Sequence, residues 1–348
     1  MSDISIRVEG RAGRITLTRA QALNALTYDM VLAVEAALDA WRADDAVALV
    51  LLDATGDKAF CAGGDIAALY DSGKAGDFTY GRQFWADEYR LNAKLAEYPK
   101  PVVSLMQGFT MGGGVGLGCH ASHRVVGETS RISMPECGIG LVPDVGGSLL
   151  LARAPGRMGA YLGLTAARME AGDAIAAGFA DHFVPQAAWP ALTETLCRTG
   201  DPQAVGQASK ETPQGLMGAS AAQIDRLFQS DSLADILAAL RADDSDFAAA
   251  ALKAMTRNSP LAMACTLEML ARLRTPDATI RIALDLEYRI TSRAMEHGDF
   301  LEGIRAAIID KDRKPVWKHT SPAAVKPHEV SAMLRPLGTD ALTFETED

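Results

Sequence analysis

Twice in the first third of the chain, an apolar run of strand length gives way at once to a glycine-rich turn and then to a helical pattern. The first turn is Phe60-Cys61-Ala62-Gly63-Gly64-Asp65-Ile66, opening the short run AALYD. The second is Gly112-Gly113-Gly114, which follows PVVSLMQG and opens VGLGCHA. A strand that feeds a helix through glycines restricts the chain to α/β architectures with buried strands. Such a corner also has chemical potential. The first amides of a helix have no intrahelical acceptor, and a missing side chain lets a ligand oxygen approach the backbone closely. Two such donors from separate turns make an oxyanion hole, although tight packing alone also places glycines at strand-to-helix corners.

The rest of the first 190 residues repeats this alternation. Ile4–Thr18 alternates apolar and polar residues around a glycine-containing turn and predicts a β-hairpin. Asn24 to Trp41 carries apolar residues at helical spacing, and VALVLLD (Val47–Asp53) reads as a buried strand. A helix is expected from about Thr79 to Leu95, stopped by Pro99-Lys100-Pro101, with short strands at Arg124–Gly127 and Arg131–Met134. After Pro185 the strand signal stops. Ala221–Phe228, Leu233–Arg241, Asp246–Met255, Pro260–Arg274 and Ala278–His297 all have helical periodicity, with Gly200–Gly218 as the candidate connector. The expected division is therefore an α/β core over residues 1–190 and a helical C-terminal region with a tail over residues 191–348.

A chain of 348 residues exceeds what one core usually organises, which agrees with a core plus an appendage. The net charge of −10 argues against nucleic acid or an anionic membrane surface as a partner. A phosphorylated ligand would need a local basic patch, and the densest is Lys311, Arg313, Lys314 and Lys318. The five cysteines are an odd number without C-x-x-C spacing, so reduced thiols in the cytoplasm are expected rather than a disulfide framework or a zinc site. The N-terminal sequence has no export pattern, and no apolar stretch approaches the length of a membrane span.

A third segment, MPECGIGLVPDVGG (Met134–Gly147), sets Glu136 and Asp144 eight residues apart among apolar residues, glycines and prolines. A carboxylate in such company is costly to bury unless it is paired or has a task. Capping a turn and the following helix is the structural alternative for the two.

FCAGGDI, TMGGGVGL and MPECGIGLVPDVGG together, in this order and at these separations, resemble the three signature blocks of the crotonase (enoyl-CoA hydratase/isomerase) superfamily. The likeness extends through FADHFVP to DFLEGIRAAIIDKDRKPVW, and its closest match inside the superfamily is the 3-hydroxyisobutyryl-CoA hydrolases. The resemblance implies a spiral of ββα units with a helical C-terminal region. It implies an acyl-CoA substrate, with coenzyme A as part of that substrate and no separate cofactor or metal. A homo-oligomer is also among the expectations, because crotonases commonly assemble into trimers or hexamers.

Carried over by position, Gly64 and Gly113 would donate the two N–H groups to the thioester carbonyl oxygen. Ala62, Gly63, Asp65 and Ile66 would line the adenine pocket of coenzyme A. Enoyl-CoA hydratases use two glutamates to add water, and the first of these positions is here Gly116; the second matches Glu136. Asp144 stands where typical hydratases have glycine. In the hydrolase subfamily Glu88, Gly113, Glu136 and Asp144 would all contact substrate, although Glu88 by spacing alone reads as a solvent-facing helix residue. The resemblance thus implies thioester hydrolysis, in which Glu136 either attacks the polarised carbonyl or activates water, and Asp144 assists. The alternatives are an enoyl-CoA hydratase or isomerase working with one carboxylate, and a non-catalytic acyl-CoA binder, for which a pair of carboxylates would have no use.

Other signals carry less. Gly116-Leu117-Gly118-Cys119-His120-Ala121 fits the dinucleotide pattern G-x-G-x-x-A, but Gly112–Gly114, not Gly116, follows the strand. Cys119, His120 and His123 lack the spacing of a zinc site, and no G-x-S-x-G supports a serine nucleophile.

Overall fold

The computed structural model describes residues 3–344. Its elements begin with β1 (Ile4–Glu9), β2 (Ala12–Leu17), α1 (Tyr28–Arg42), β3 (Leu49–Ala54), β4 (Ala59–Cys61), α2 (Ala67–Lys74) and α3 (Thr79–Ala96). They continue with β5 (Val102–Met106), β6 (Phe109–Met111), α4 (Gly113–Gly118), β7 (His123–Val126), β8 (Arg131–Ser133), α5 (Gly147–Arg153) and α6 (Met158–Thr165). Next come α7 (Ala171–Ala176), β9 (His182–Phe183), α8 (Trp189–Thr199) and α9 (Gln203–Ala208). Only helices follow among the described residues: α10 (Ala221–Leu227), α11 (Leu233–Arg241), α12 (Asp246–Met255), α13 (Pro260–Leu273), α14 (Ile280–His297), α15 (Phe300–Ile304) and α16 (Pro327–Met333).

The chain divides into two compact units, each assembled from three separate segments. The first comprises the chain up to Asp65, Arg90–Ser133 and Arg168–Ala219; the second comprises Ile66–Tyr89, Met134–Ala167 and the chain from Ser220 on. The first unit draws on the chain on both sides of residue 190, and the last strand among the described residues ends at Phe183.

The first unit holds every strand of the described residues. A six-stranded sheet runs in the order β1-β2-β3-β5-β7-β9, with β1 antiparallel to β2 and the other pairs parallel. A second sheet, β4-β6-β8, is parallel throughout. One face of the large sheet, carrying Ala12, Leu49, Leu51, Val103, Leu105 and Val125, is covered by Leu192, Leu196 and Cys197 of α8 and by Ala204 and Val205 of α9. This explains why Gly200–Gly218 is not merely a connector. Its Ala204 and Val205 belong to the core, so the segment folds locally as α9 despite its polar composition.

The first helix starts later than its apolar spacing suggests. Leu23 and Asn24 both lie in the left-handed region, at φ 52° and 55°. The buried Asn24 side chain donates to the carbonyls of Thr55 and Ala59, at 3.0 and 2.9 Å. Thr27 then caps α1 by accepting from the Met30 amide at 3.3 Å.

The second unit is helical. In it α13 is capped by Ser259, whose Oγ accepts from the Ala262 amide at 3.1 Å, and has Pro260 in its first turn. α14 is capped in the same manner by Thr279. The buried positions 280, 283, 284, 287, 291 and 294 form its core stripe.

Candidate active site

The two glycine turns meet because of strand topology. β4 and β6 are adjacent and parallel, so their C-terminal ends lie at the same edge of the small sheet, and each turn leaves from that edge. Leu26 forms a parallel bridge with Gly64, but its hydrogen bonds go to the neighbours: the Leu26 amide donates to Gly63 O at 2.9 Å, and the Asp65 amide donates to Leu26 O at 2.8 Å. The Gly64 N–H therefore points away from the bridge. Gly113 is the first residue of α4, and its amide has no intrahelical acceptor. Gly114 shows how closely the turns approach, since a Cβ there would lie 2.1 Å from the Cys61 carbonyl oxygen. Gly63 (φ 115°) and Gly112 (φ 47°) adopt backbone that suits glycine. Of the other residues in the first turn, Ala62 donates its amide to Leu23 O at 3.0 Å, and Asp65 accepts from Arg19 at 3.0 Å. Ile66 precedes α2 as its N-cap.

The carboxylates gather in the second unit. Glu136 opens a 3-10 turn, Glu136–Ile139, and is 5% exposed; Asp144 is also 5% exposed, and Glu88 on α3 only 3%. The solvent-facing reading of Glu88 is thus corrected. It lies on the buried stripe of α3 with Phe84, Trp85 and Leu95, and the stripe decides its environment. The Tyr89 hydroxyl donates to Asp144 Oδ2 at 2.7 Å and lies 3.3 Å from Thr291 Oγ1. Among the described residues, Glu88 Oε1 and Glu136 Oε2 have no hydrogen-bond partner.

Burial is the main cause of the proton affinities here, with mutual repulsion second. It pushes Asp144 up to about 7 against the opposing Tyr89 bond. Burial and then the Asp144 charge raise both Glu136 and Glu88 well above the usual carboxylate range. The capping alternative for Asp144 does not hold: the N-cap of α5 is Gly146, and the carboxylate that serves this helix start is Glu287 of α14. Glu287 is fully buried, and its Oε2 accepts from the Gly146 amide at 2.8 Å. Its Oε1 accepts from the Ser148 amide at 3.1 Å and from the Ser148 hydroxyl. Burial lifts Glu287 to about 8, opposed by these bonds. Between Asp144 and Gly146 sits Val145 at φ 53°, a left-handed conformation that a β-branched residue rarely tolerates.

The two glycine turns of the first unit and the buried carboxylates of the second are the features that bear on chemistry. The family model described as enoyl-CoA hydratase/isomerase matches residues 12–334. The chain belongs to the enoyl-CoA hydratase/isomerase family. Among curated relatives of this family member, the mitochondrial 3-hydroxyisobutyryl-CoA hydrolase of Gallus gallus is 36% identical, over 98% of this chain and 91% of that protein. The Rattus norvegicus protein of the same name is 38% identical, over 99% and 91%. Among solved structures, an enoyl-CoA hydratase from Rhodobacter sphaeroides 2.4.1 is 60% identical with a TM-score of 0.95, covering 99% of this chain and 100% of that one. A carnitinyl-CoA dehydratase from Mycobacterium thermoresistibile is 41% identical with the same TM-score, covering 100% of both. The crotonase fold read from the three signature blocks is therefore present, with its helical C-terminal region.

In this family member the site residues read from sequence fall into two groups. Gly64 and Gly113 lie together in the first unit, and Glu88, Glu136 and Asp144 in the second. Sequence reading missed Tyr89 and Glu287. The available signal for Glu287 was an acidic residue inside the apolar stripe of a long amphipathic helix. The dinucleotide-like pattern begins inside α4, as its context suggested. Cys119 is buried with Sγ 3.8 Å from Met106 Sδ, and His123 stacks on His182, so both have packing roles. In the C-terminal basic cluster Lys311, Arg313 and Lys314 are exposed, while the nearby Arg305 is engaged by Glu302, Asp310 and Asp312.

Proposed function

We propose that the protein hydrolyses a short-chain 3-hydroxyacyl-CoA thioester, with 3-hydroxyisobutyryl-CoA as the first candidate and valine breakdown as its setting. The observation that carries this reading is the pair of buried carboxylates, Glu136 and Asp144, combined with Gly116 at the position where hydratases hold their other glutamate. Syn addition of water by two glutamates lacks one of its partners here. Hydrolysis of a thioester needs a polarised carbonyl, a carboxylate and water.

In the proposed reaction the Gly64 and Gly113 amides would stabilise charge on the carbonyl oxygen. Each such donor is worth on the order of 10²–10³ in rate. Glu136 would either attack the carbonyl carbon, expelling coenzyme A as a thiolate and leaving an anhydride for water to cleave, or deprotonate water for direct attack. Asp144 would assist the water or the substrate hydroxyl, and Glu88 would contact the acyl group. Ala62, Gly63, Asp65 and Ile66 would border the adenine. Coenzyme A enters as part of the substrate, and the scheme uses no metal or redox group. A cytoplasmic location, suggested by an odd number of cysteines without C-x-x-C spacing, belongs to the same proposal, whereas the curated relatives are mitochondrial by name.

The second reading is hydration or isomerisation of an enoyl-CoA through Glu136 alone, favoured by the name of the 60% identical structure. One experiment separates the two: free thiol released from 3-hydroxyisobutyryl-CoA, followed with a thiol-reactive dye, beside loss of enoyl absorbance from crotonyl-CoA. Thiol release without loss of enoyl absorbance supports the hydrolase. The reverse result supports the hydratase.

A further inference from the structure

We propose that Glu287 is a positioning residue for this reaction, clamping from α14 the turn that carries Asp144. The inference rests on the hydrolase reading and extends it to a residue far along the chain. Three donors converge on one carboxylate: the amides of Gly146 and Ser148 and the Ser148 hydroxyl. A further bond, from the Gly147 amide to Asp144 O at 2.7 Å, closes the turn itself. The turn needs such support because Val145 and Gly146 are both left-handed, at φ 53° and 79°. At the β-branched Val145 this backbone is strained, and such strain persists only where surrounding contacts over-determine it.

The choice of residue is also informative. A helix start can be capped by a serine, threonine or asparagine of its own chain segment, without burying a charge. Here the cap is a fully buried glutamate from another helix, inside a cluster that already holds Glu88, Glu136 and Asp144. A buried acid is an expensive cap. Burial and the Asp144 charge lift its proton affinity to about 8, against the pull of the Ser148 and Gly146 bonds. The clamp would therefore hold the Asp144 carboxylate at the Tyr89 hydroxyl.

The test is Glu287→Gln in the full-length protein, assayed by thiol release across pH. Gln is nearly isosteric but can accept at only one of its two terminal atoms, so one amide of the turn loses its acceptor. The expected result is a fall in kcat of about ten-fold or more, with KM within about two-fold, since small misplacements of reacting groups are costly. The acid limb of kcat/KM should also move to higher pH, by on the order of half a unit, because a loosened turn weakens the Tyr89 bond that opposes the rise of Asp144. A purely structural cap would lower thermal stability and leave the limb unmoved. Should Glu287→Gln fail to fold, Ser148→Ala removes one clamp donor and keeps the acid; a fall in its kcat with KM held supports the clamp, and wild-type kcat overturns it. An active wild type with an unchanged Glu287→Gln profile also overturns the clamp, and leaves the hydrolase reading standing. A wild type that releases no thiol overturns both.

Discussion

At the scale of single residues, the site trades stability for chemistry, and Asp144 shows the sign of the trade. Its proton affinity in the folded protein is raised from 3.8 to about 7, so the folded state holds the proton more tightly than the unfolded chain does. The associated stability is fully present below the unfolded value and is lost as pH rises through the folded one. Asp144→Asn keeps an oxygen for the Tyr89 hydroxyl and removes the charge. Its melting temperature relative to wild type should therefore climb between about pH 4 and about pH 8, as differential scanning calorimetry would record. A constant difference across that range would contradict the burial argument. Activity should show the other side of the same titration: if an ionised Asp144 is needed, kcat/KM rises through an apparent value near 7. Glu136→Gln should reduce thiol release by about 10²–10⁴ or more while leaving coenzyme A binding largely intact. Binding by calorimetry beside the thiol assay distinguishes this from misfolding, and unimpaired turnover would remove Glu136 from the mechanism.

At the scale of elements, glycine positions separate a turn that must be tight from a helix that need not be. A Cβ on Gly114 would meet the Cys61 carbonyl oxygen, a backbone atom that cannot swing aside, at 2.1 Å. Gly114→Ala is expected to cost about 1–3 kcal/mol or more and to displace the neighbouring Gly113 amide. Gly206, inside α9, has nothing within 4 Å of its would-be Cβ, so Gly206→Ala should be neutral or stabilising by up to about 1 kcal/mol. Urea denaturation of the two variants measures the contrast; equal destabilisation would mean that the turn is not tight. The same elements show what the sequence makes legible. Leu233–Arg241 and Asp246–Met255 coincide with α11 and α12, because their apolar periodicity and serine caps act locally. The glycine turns were legible because a strand, glycines and a helix are consecutive in the chain. Glu88 was not, since spacing on one helix cannot reveal which face its neighbours cover. Tyr89 and Glu287 were hidden for a related reason: their partners, Asp144 and Ser148, lie 55 and 139 residues away in sequence.

At the scale of the whole molecule, the interleaving of the two units decides which pieces of the chain can stand alone. A cut near residue 190 follows the change in element content but passes through the first unit, which needs its segment up to Ala219. Leu192, Leu196, Cys197, Ala204 and Val205 would be lost from the sheet face formed by Ala12, Leu49, Leu51, Val103, Leu105 and Val125. Burying one large aliphatic side chain contributes roughly 1.5–3 kcal/mol, and a domain's net stability is only about 5–15 kcal/mol, so the loss of Leu192, Leu196 and Val205 alone removes a decisive share. The uncovered face would also present a continuous apolar surface to other chains. A fragment of residues 1–190 is therefore expected to bind a hydrophobic dye and to melt without a cooperative transition, whereas the full chain melts cooperatively. A soluble, dye-silent fragment with a sharp melt would show that the large sheet is stable without α8 and α9, and that the linear division is the physical one.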